Sequence, residues 1–395
     1  MNSKISAQKT NIRQSFTLPV AYDVYFTEDL FAPANPTFKQ VFSRKTEKKL
    51  KLLFVVDSGL LEKTPGLQEK IRTYCEDILQ LEDFPDPIIL PGGEESKNYL
   101  DHVTSVLDQI NKYGISRHSF VVAIGGGAVL DAAGFAAGIA HRGVRLIRVP
   151  TTVLSQNDSG VGVKNGINWY NKKNFLGTFT PPFAVINDQQ FLRTLEERDW
   201  RGGISEAVKV ALIKDRNFFD WIKNDTERLV NRDNESMQYL IYRCAELHLE
   251  HISSGDAFET GSSRPLDFGH WAAHKLEQFT NYSLRHGEAV AIGISLDCVY
   301  SWKTGLIKKS TCDKVLQLLW NLGFRLYTPE LLRLEEKEFE VLEGLQEFRE
   351  HLGGDLTIML LEEIGKGKEV HQIDQDKMKE SILFLEKEDQ KIGAS

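Results

Sequence analysis

The chain is poor in cysteine. Its four, Cys75, Cys244, Cys298 and Cys312, are scattered, and none forms a Cys-x-x-Cys pair. That spacing excludes a thiolate zinc site and fits a reducing compartment. A cationic excess is also lacking: 48 Lys and Arg stand against 56 Asp and Glu, a formal net charge of −8. Nucleic acid and anionic membrane both need a cationic face, so neither is expected as the main partner, although a locally positive pocket for an anionic substrate is not excluded. The longest apolar stretch, Val121 to Ala140, is broken by Asp131 and several glycines. It reads as a buried strand and helix, not a membrane span. Met1 to Phe16 is polar without an apolar core, so no secretory signal is expected, and a cytoplasmic location follows. Internal repeats and low-complexity segments are absent.

What is present suffices for a sizeable core. Of 395 residues, 41% are hydrophobic and 26% charged, enough for two ordinary domains. The first half alternates short β-rich runs with helical patterns. Strands are expected at Lys51–Val56, Pro87–Leu90, Ser119–Ile124 and Arg145–Val149, and helices at Pro65–Leu81, Asn98–Gln109 and Val129–Ile139. Such alternation predicts a parallel sheet with crossovers, which gathers ligands at the carboxyl ends of its strands. From about Phe191 apolar residues recur at helical spacing, as at Met237, Leu240, Ile241, Cys244 and Leu247. Further helices are expected at Gly203–Ile213, Gly269–Gln278, Glu288–Ser301 and Thr311–Leu322, and a frayed, charged C-terminus. The expected architecture is an α/β Rossmann-like nucleotide-binding domain over residues 1–190 and an all-α metal- and substrate-binding domain over 191–395.

Several segments carry chemistry. Val121 to Ile124, three glycines (Gly125 to Gly127) and a helix form either a phosphate cradle or a plain tight turn. Asp57, at the end of an earlier strand, suits a ribose hydroxyl or a helix cap. The segment Pro150 to Pro182 sets Asp158, Lys164, Lys173 and Asn174 among glycines. Lysines so placed suit a phosphorylated substrate; the plainer reading is a solvated hairpin over Gly162–Gly177. Glu206 and Lys209 share a helical face, as a bare ion pair would. His270 and His274 also share one, as surface or core residues often do. His286 precedes another helix beside Glu288. Taken jointly, Glu206, His270 and His286 make up the donor set of an open, catalytic divalent-metal site.

These segments, in order, resemble one family. Gly125 to Asp131, Pro150-Thr151-Thr152, Asp158 to Lys164, Lys173-Asn174, Glu206-Ala207-Val208-Lys209, Gly269-His270 and His286 to Val290 are similar to the motifs of the sugar-phosphate cyclases. That superfamily includes 3-dehydroquinate synthase and the sedoheptulose 7-phosphate cyclases such as 2-epi-5-epi-valiolone synthase. The likeness runs from about residue 50 to 300 and is poor beyond. It implies a homodimeric lyase with NAD and one zinc or cobalt ion, the metal on Glu206, His270 and His286. It implies NAD near Asp57, Glu94, Lys97, Gly126, Gly127, Asp131, Thr151, Thr152, Asp158, Phe191, Thr194 and Leu195. Lys164, Lys173, Asn174, Lys209, Arg264, Asp267 and His274 would face a phosphorylated heptulose. The implied reaction is transient oxidation of a ring hydroxyl, loss of phosphate, re-reduction, and an intramolecular aldol closure.

Departures bear on the substrate. Where dehydroquinate synthases carry Leu-Asn-x-Gly-His-Thr, this chain reads Leu266-Asp267-Phe268-Gly269-His270-Trp271, and the aspartate resembles the sedoheptulose 7-phosphate cyclases. A lysine expected upstream of Arg264, which helps hold a substrate carboxylate, is missing; Glu250 and His251 stand there. A late Asp-Lys-Lys is replaced around Glu350 to Gly354. Losing one of two carboxylate clamps weakens that binding by about 1 kcal/mol or more, which favours sedoheptulose 7-phosphate or a related sugar. The rivals are 3-dehydroquinate synthase proper, a glycerol dehydrogenase-like alcohol dehydrogenase, and a non-catalytic NAD-binding descendant.

Overall fold

The computed structural model describes residues 11–43, 50–81, 84–170, 172–254, 257–258, 265–336, 338–351 and 356–393. Its frame is a six-stranded, all-parallel sheet of order β1-β8-β5-β4-β2-β3. The strands are β1 (Asp23–Thr27), β2 (Leu52–Asp57), β3 (Ile88–Leu90), β4 (Phe120–Gly125), β5 (Arg145–Pro150) and β8 (Ala184–Asp188). Between β5 and β8 an antiparallel hairpin, β6 (Lys164–Trp169) and β7 (Lys172–Phe179), leaves the sheet. Alternation along each central strand builds two cores. Leu52, Phe54 and Val56, with Phe120, Val122 and Ile124, pack on one face. Leu53 and Val55, with Val121 and Ala123, pack on the other. Strands buried on both faces read as continuous apolar runs, which is why β2 and β4 were visible in the sequence.

The four expected strands are present within a residue or so, and β1 and β8 were not foreseen. The expected helix at Pro65–Leu81 is shorter, Leu67–Thr73, and runs on into a wider turn over Tyr74–Ile78. The others are Leu100–Lys112 and Gly127–Ile139.

Beyond β8 the chain is mainly helical. The helices Glu197–Lys214, Asn234–Ser253, His270–Phe279, His286–Lys303 and Lys309–Asn321 share one large core. That half also holds two small antiparallel ladders, Leu334–Glu335 with Glu338–Phe339 and Ile358–Glu363 with Lys366–Val370, so it is not purely α. The last ten residues or so, expected to fray, continue as far as Gly393 a helix that starts at Gln375 and is anchored upstream by Met378, Ile382 and Leu385. Among the described residues no helix is long and apolar enough to cross a membrane.

Close backbone approach fixes the helices that carry the site. Gly269 sits at φ 78°, and a Cβ there would meet the backbone of Gly293 and Ile294 on the facing helix. Only glycine accepts both the turn and the contact. Beneath it lies Asp297, fully buried, accepting from the Gly269 N–H (2.9 Å) and the Trp271 indole N–H (2.9 Å). Burial outweighs these two donors and raises its pKa from 3.8 to about 7. A pKa raised in the folded state means protonation favours the fold. The contribution is therefore complete below about pH 4 and lost as pH rises through about 7. Asp297→Asn should flatten the stability profile between those limits, read as denaturant midpoint against pH; an unchanged slope would contradict the assignment.

Candidate functional site

The site is built where the carboxyl ends of β2, β4 and β5 meet the helical half. At β4 the helix Gly127–Ile139 begins on Gly126, whose cap position supplies no side-chain acceptor to the first-turn N–H groups. A Cβ at Gly127 would stand 2.5 Å from Ser159 Oγ, and one at Gly126 would touch only the Thr152 methyl, at 3.4 Å. An uncapped helix N-terminus with bare backbone beside it fits an anionic ligand group. Thr151 donates its N–H to the Gly125 carbonyl (3.0 Å), and Thr152 pairs with Ser155 Oγ (2.8 Å), so both brace the turn. Asp57 caps its own helix, accepting from Gly59 (2.9 Å) and Leu60 (3.3 Å) through one oxygen, and burial raises its pKa.

A second group gathers beside it. Lys97, almost fully buried, lies 3.0 Å from Asp131 and 3.8 Å from Glu94 and bonds Asn174. Asn168 donates to Glu94 (2.8 Å) and accepts from the Asn174 N–H (2.9 Å). The Pro150–Pro182 segment does contain a hairpin, but its Lys173 is mostly buried and paired 2.7 Å from Glu277. Lys164 is exposed at the start of β6. Phe191 is buried in the core of one sheet face, Thr194 Oγ1 bonds the Phe191 carbonyl (3.1 Å), and Leu195 packs on the helical core. Arg264 lies outside the described residues.

The helical half supplies the densest cluster. Glu206, His270 and His286 bring one donor atom each to within 4.8 Å of one another. Glu206 Oε1 is 3.2 Å from His286 Nε2 and 3.7 Å from His270 Nε2, and Lys209 Nζ is paired to Oε2. Glu206 is fully buried, yet among the described residues neither oxygen receives a hydrogen bond of good geometry. The histidines are oriented from behind: His270 Nδ1 meets the Phe268 carbonyl (3.2 Å) and His286 Nδ1 meets Glu277 (3.0 Å). Both rings thus turn Nε2 toward the same carboxylate. A buried carboxylate and two convergent Nε2 atoms fit a divalent ion with one position open.

Electrostatics follow from that crowding. Burial alone would raise the Glu206 pKa, but Lys209, then His270 and His286, hold it well below the carboxylate range. Burial, then Lys209, lowers His270 to about 4. Burial opposes charge on His286 too, yet Glu277 and Glu206 lift it to about 9. Burial and Lys173 push His274 well down, so it is neutral; its ring stacks 5.9 Å from that of His286. Burial alone would raise the Asp158 pKa, but Lys209 and then His248 outweigh it and leave it below its ordinary value. Asp267 is half-buried and contributes to the field at Lys209 and His270.

Three residues here were missed from the sequence. Arg148, fully buried, donates to the Gly160, Gly162 and Lys164 carbonyls and to Asn165 Oδ1, and so clamps the loop carrying Asp158 and Lys164. A charge inside the apolar run Arg145 to Val149 was its signal. His248 bonds Asp158 (2.8 Å), and Glu277 joins Lys173 to His286; neither had a local signature.

A parallel nucleotide-type sheet joined to a helical half that carries a Glu-His-His cluster defines a dehydroquinate synthase-like fold. Residues 87–202 match the family model for the 3-dehydroquinate synthase N-terminal region and 203–342 that for its C-terminal region. A protein named 3-dehydroquinate synthase, from Nitrosospira multiformis, is 38% identical over 281 residues, 71% of this chain and 75% of that one. The solved 2-epi-5-epi-valiolone synthase of Streptomyces hygroscopicus subsp. jinggangensis, which has NAD+ and Zn2+ bound, is 28% identical with a TM-score of 0.86, over 96% of this chain and 100% of that one. A 2-deoxy-scyllo-inosose synthase structure shares the fold at a TM-score of 0.73 and 24% identity, over 91% of this chain and 95% of that one. The chain belongs to the 3-dehydroquinate synthase family, a family of cyclase enzymes.

Proposed function

We infer that the chain is an NAD- and divalent-metal-dependent sugar-phosphate cyclase acting on a heptulose 7-phosphate. The preferred substrate is sedoheptulose 7-phosphate or a related sugar without a carboxylate, and phosphate is lost. The observation that carries this is the convergence of Glu206, His270 and His286 beside a buried Lys209, whose charge acts on Asp158, the neighbour in the chain of the Ser159 that lies against Gly127. Residues 1–190 would hold the nucleotide and 191–395 the metal, in a homodimer.

The residues present fit both groups. Glu206, His270 and His286 would hold zinc or cobalt, and the uncapped turn at Gly126 and Gly127, with Asp57 and the Lys97 cluster, would hold NAD. When bound, the nicotinamide supplies a reversible hydride acceptor and the ion a Lewis acid at the carbinol oxygen. The protein's own groups do the rest. Lys209 keeps its proton, because Glu206 and Asp158 raise its pKa, and so offers a fixed cation to developing oxyanion charge. His274, held neutral, donates or accepts a hydrogen bond without adding charge. Asp158, held by His248, adds a second negative charge to the field at Lys209. Lys173 and Asn174 would position the phosphate, and Asp267, Lys164 and Arg264 the polyol.

The same-fold valiolone synthase and the missing carboxylate clamp support the sedoheptulose reading. The 38% identity to a protein named 3-dehydroquinate synthase supports the second, 3-deoxy-arabino-heptulosonate 7-phosphate. Purified enzyme with NAD+, Zn2+ and each sugar in turn should free phosphate with sedoheptulose 7-phosphate and give no net NADH. Phosphate only from the carboxylated sugar would select 3-dehydroquinate synthase, and stoichiometric NADH would select an alcohol dehydrogenase.

A further inference from the structure

We propose that Glu277 is a positioning residue that couples the substrate-side cation Lys173 to the candidate metal ligand His286 and sets the affinities of the two in opposite directions. The proposal rests on the metal reading above. Glu277 is 3% exposed, on the same helix as His270 and His274. Among the described residues each of its oxygens has one partner: Oε1 lies 2.7 Å from Lys173 Nζ and Oε2 3.0 Å from His286 Nδ1. Lys173 comes from the β6–β7 hairpin and His286 from the start of the helix His286–Lys303, so one carboxylate ties the two halves together at the site.

Its hold on His286 has a chemical consequence. A carboxylate at Nδ1 holds a proton there and fixes the ring, so Nε2, which faces Glu206 at 3.2 Å, is the atom that would exchange its proton for the ion. Its hold on Lys173 has the contrary one. The ammonium that would greet a phosphate is partly cancelled by the carboxylate at its side. His274, Glu277 and His286 also bring donor atoms within 4.8 Å, as a second ion site would. The Lys173 ammonium already stands against Glu277, so the cation there is supplied by the chain.

Neutralising Glu277 therefore has opposite effects on two ligands, where a general loosening would weaken both. In the full-length chain, Glu277→Gln should bind Co2+ roughly 10–100-fold more weakly, by competition with a chromophoric chelator. It should bind inorganic phosphate several-fold more tightly, by titration calorimetry. Lys173→Met mirrors it: Co2+ bound at least as tightly as in the parent, phosphate more weakly. That second variant tests the coupling even if Glu277→Gln does not fold. Unchanged or jointly weakened affinities in Glu277→Gln, or weakened Co2+ binding in Lys173→Met, would overturn the coupling. Glu206→Gln separates the two levels. If it binds Co2+ as the parent does, the metal reading itself fails. If it loses Co2+ while Glu277→Gln keeps it, only the coupling fails.

Discussion

His270→Ala should leave the protein folded and strip it of both metal and turnover, with the rate falling by on the order of 10³ or more. Among the described residues the ring's one hydrogen bond is to the Phe268 carbonyl, and its helix is held independently of the ring by Trp271, Leu276 and the Asp297 contacts. What it supplies is an unprotonated Nε2, since burial and Lys209 keep its pKa near 4. Two remaining ligands would not hold an ion against water. His274→Ala is the internal control. His274 stands outside the Glu206 cluster, so its loss should slow the reaction while leaving metal content near that of the parent. Metal analysis with far-ultraviolet circular dichroism checks both, and an active, metal-replete His270→Ala protein would refute the assignment.

Lys209→Met should produce a different failure. Lys209 is 2% exposed and paired to Glu206, and its charge is also felt at Asp158. Removing it leaves the buried Glu206 to the His270 and His286 rings and Asp158 to His248, which costs the metal-free protein about 3 kcal/mol. A bound divalent ion restores much of that compensation at Glu206. The variant should therefore melt well below the parent without metal and recover when Zn2+ is added. Turnover should still fall by roughly 10²–10³, because a preset cation at developing negative charge is gone, while affinity for NAD+ changes little. Thermal melts with and without Zn2+, beside cofactor titration, separate these effects. Equal loss of rate and cofactor affinity would place Lys209 on the cofactor instead.

The sequence made some elements plain and hid others for physical reasons. β2 and β4 are buried on both faces and therefore appear as apolar runs. β1 is a five-residue edge strand of mixed burial, and nothing local distinguishes it from a loop. The Ile358–Glu363 ladder was missed because a short apolar run does not tell strand from helix; its two-residue turn ends on Gly365 at φ 89°. In the site, Glu206, His270 and His286 were legible only through the ordered motifs around them, since helical spacing allows an ion pair or a core histidine equally well. Arg148, His248 and Glu277 acquire their roles from partners far off in the chain, which only the folded arrangement supplies. Lys173 illustrates the same point. Its place among glycines suits a phosphorylated substrate or a solvated hairpin, and folding pairs it with Glu277.

The most direct test is anomalous diffraction at the zinc or cobalt edge from crystals of metal-loaded protein. The account predicts one peak, bonded to a Glu206 oxygen and to Nε2 of both His270 and His286 at about 2.0–2.2 Å. A peak on the Nδ1 side of His286, between His274 and Glu277, or no peak within bonding distance of Glu206, would contradict it.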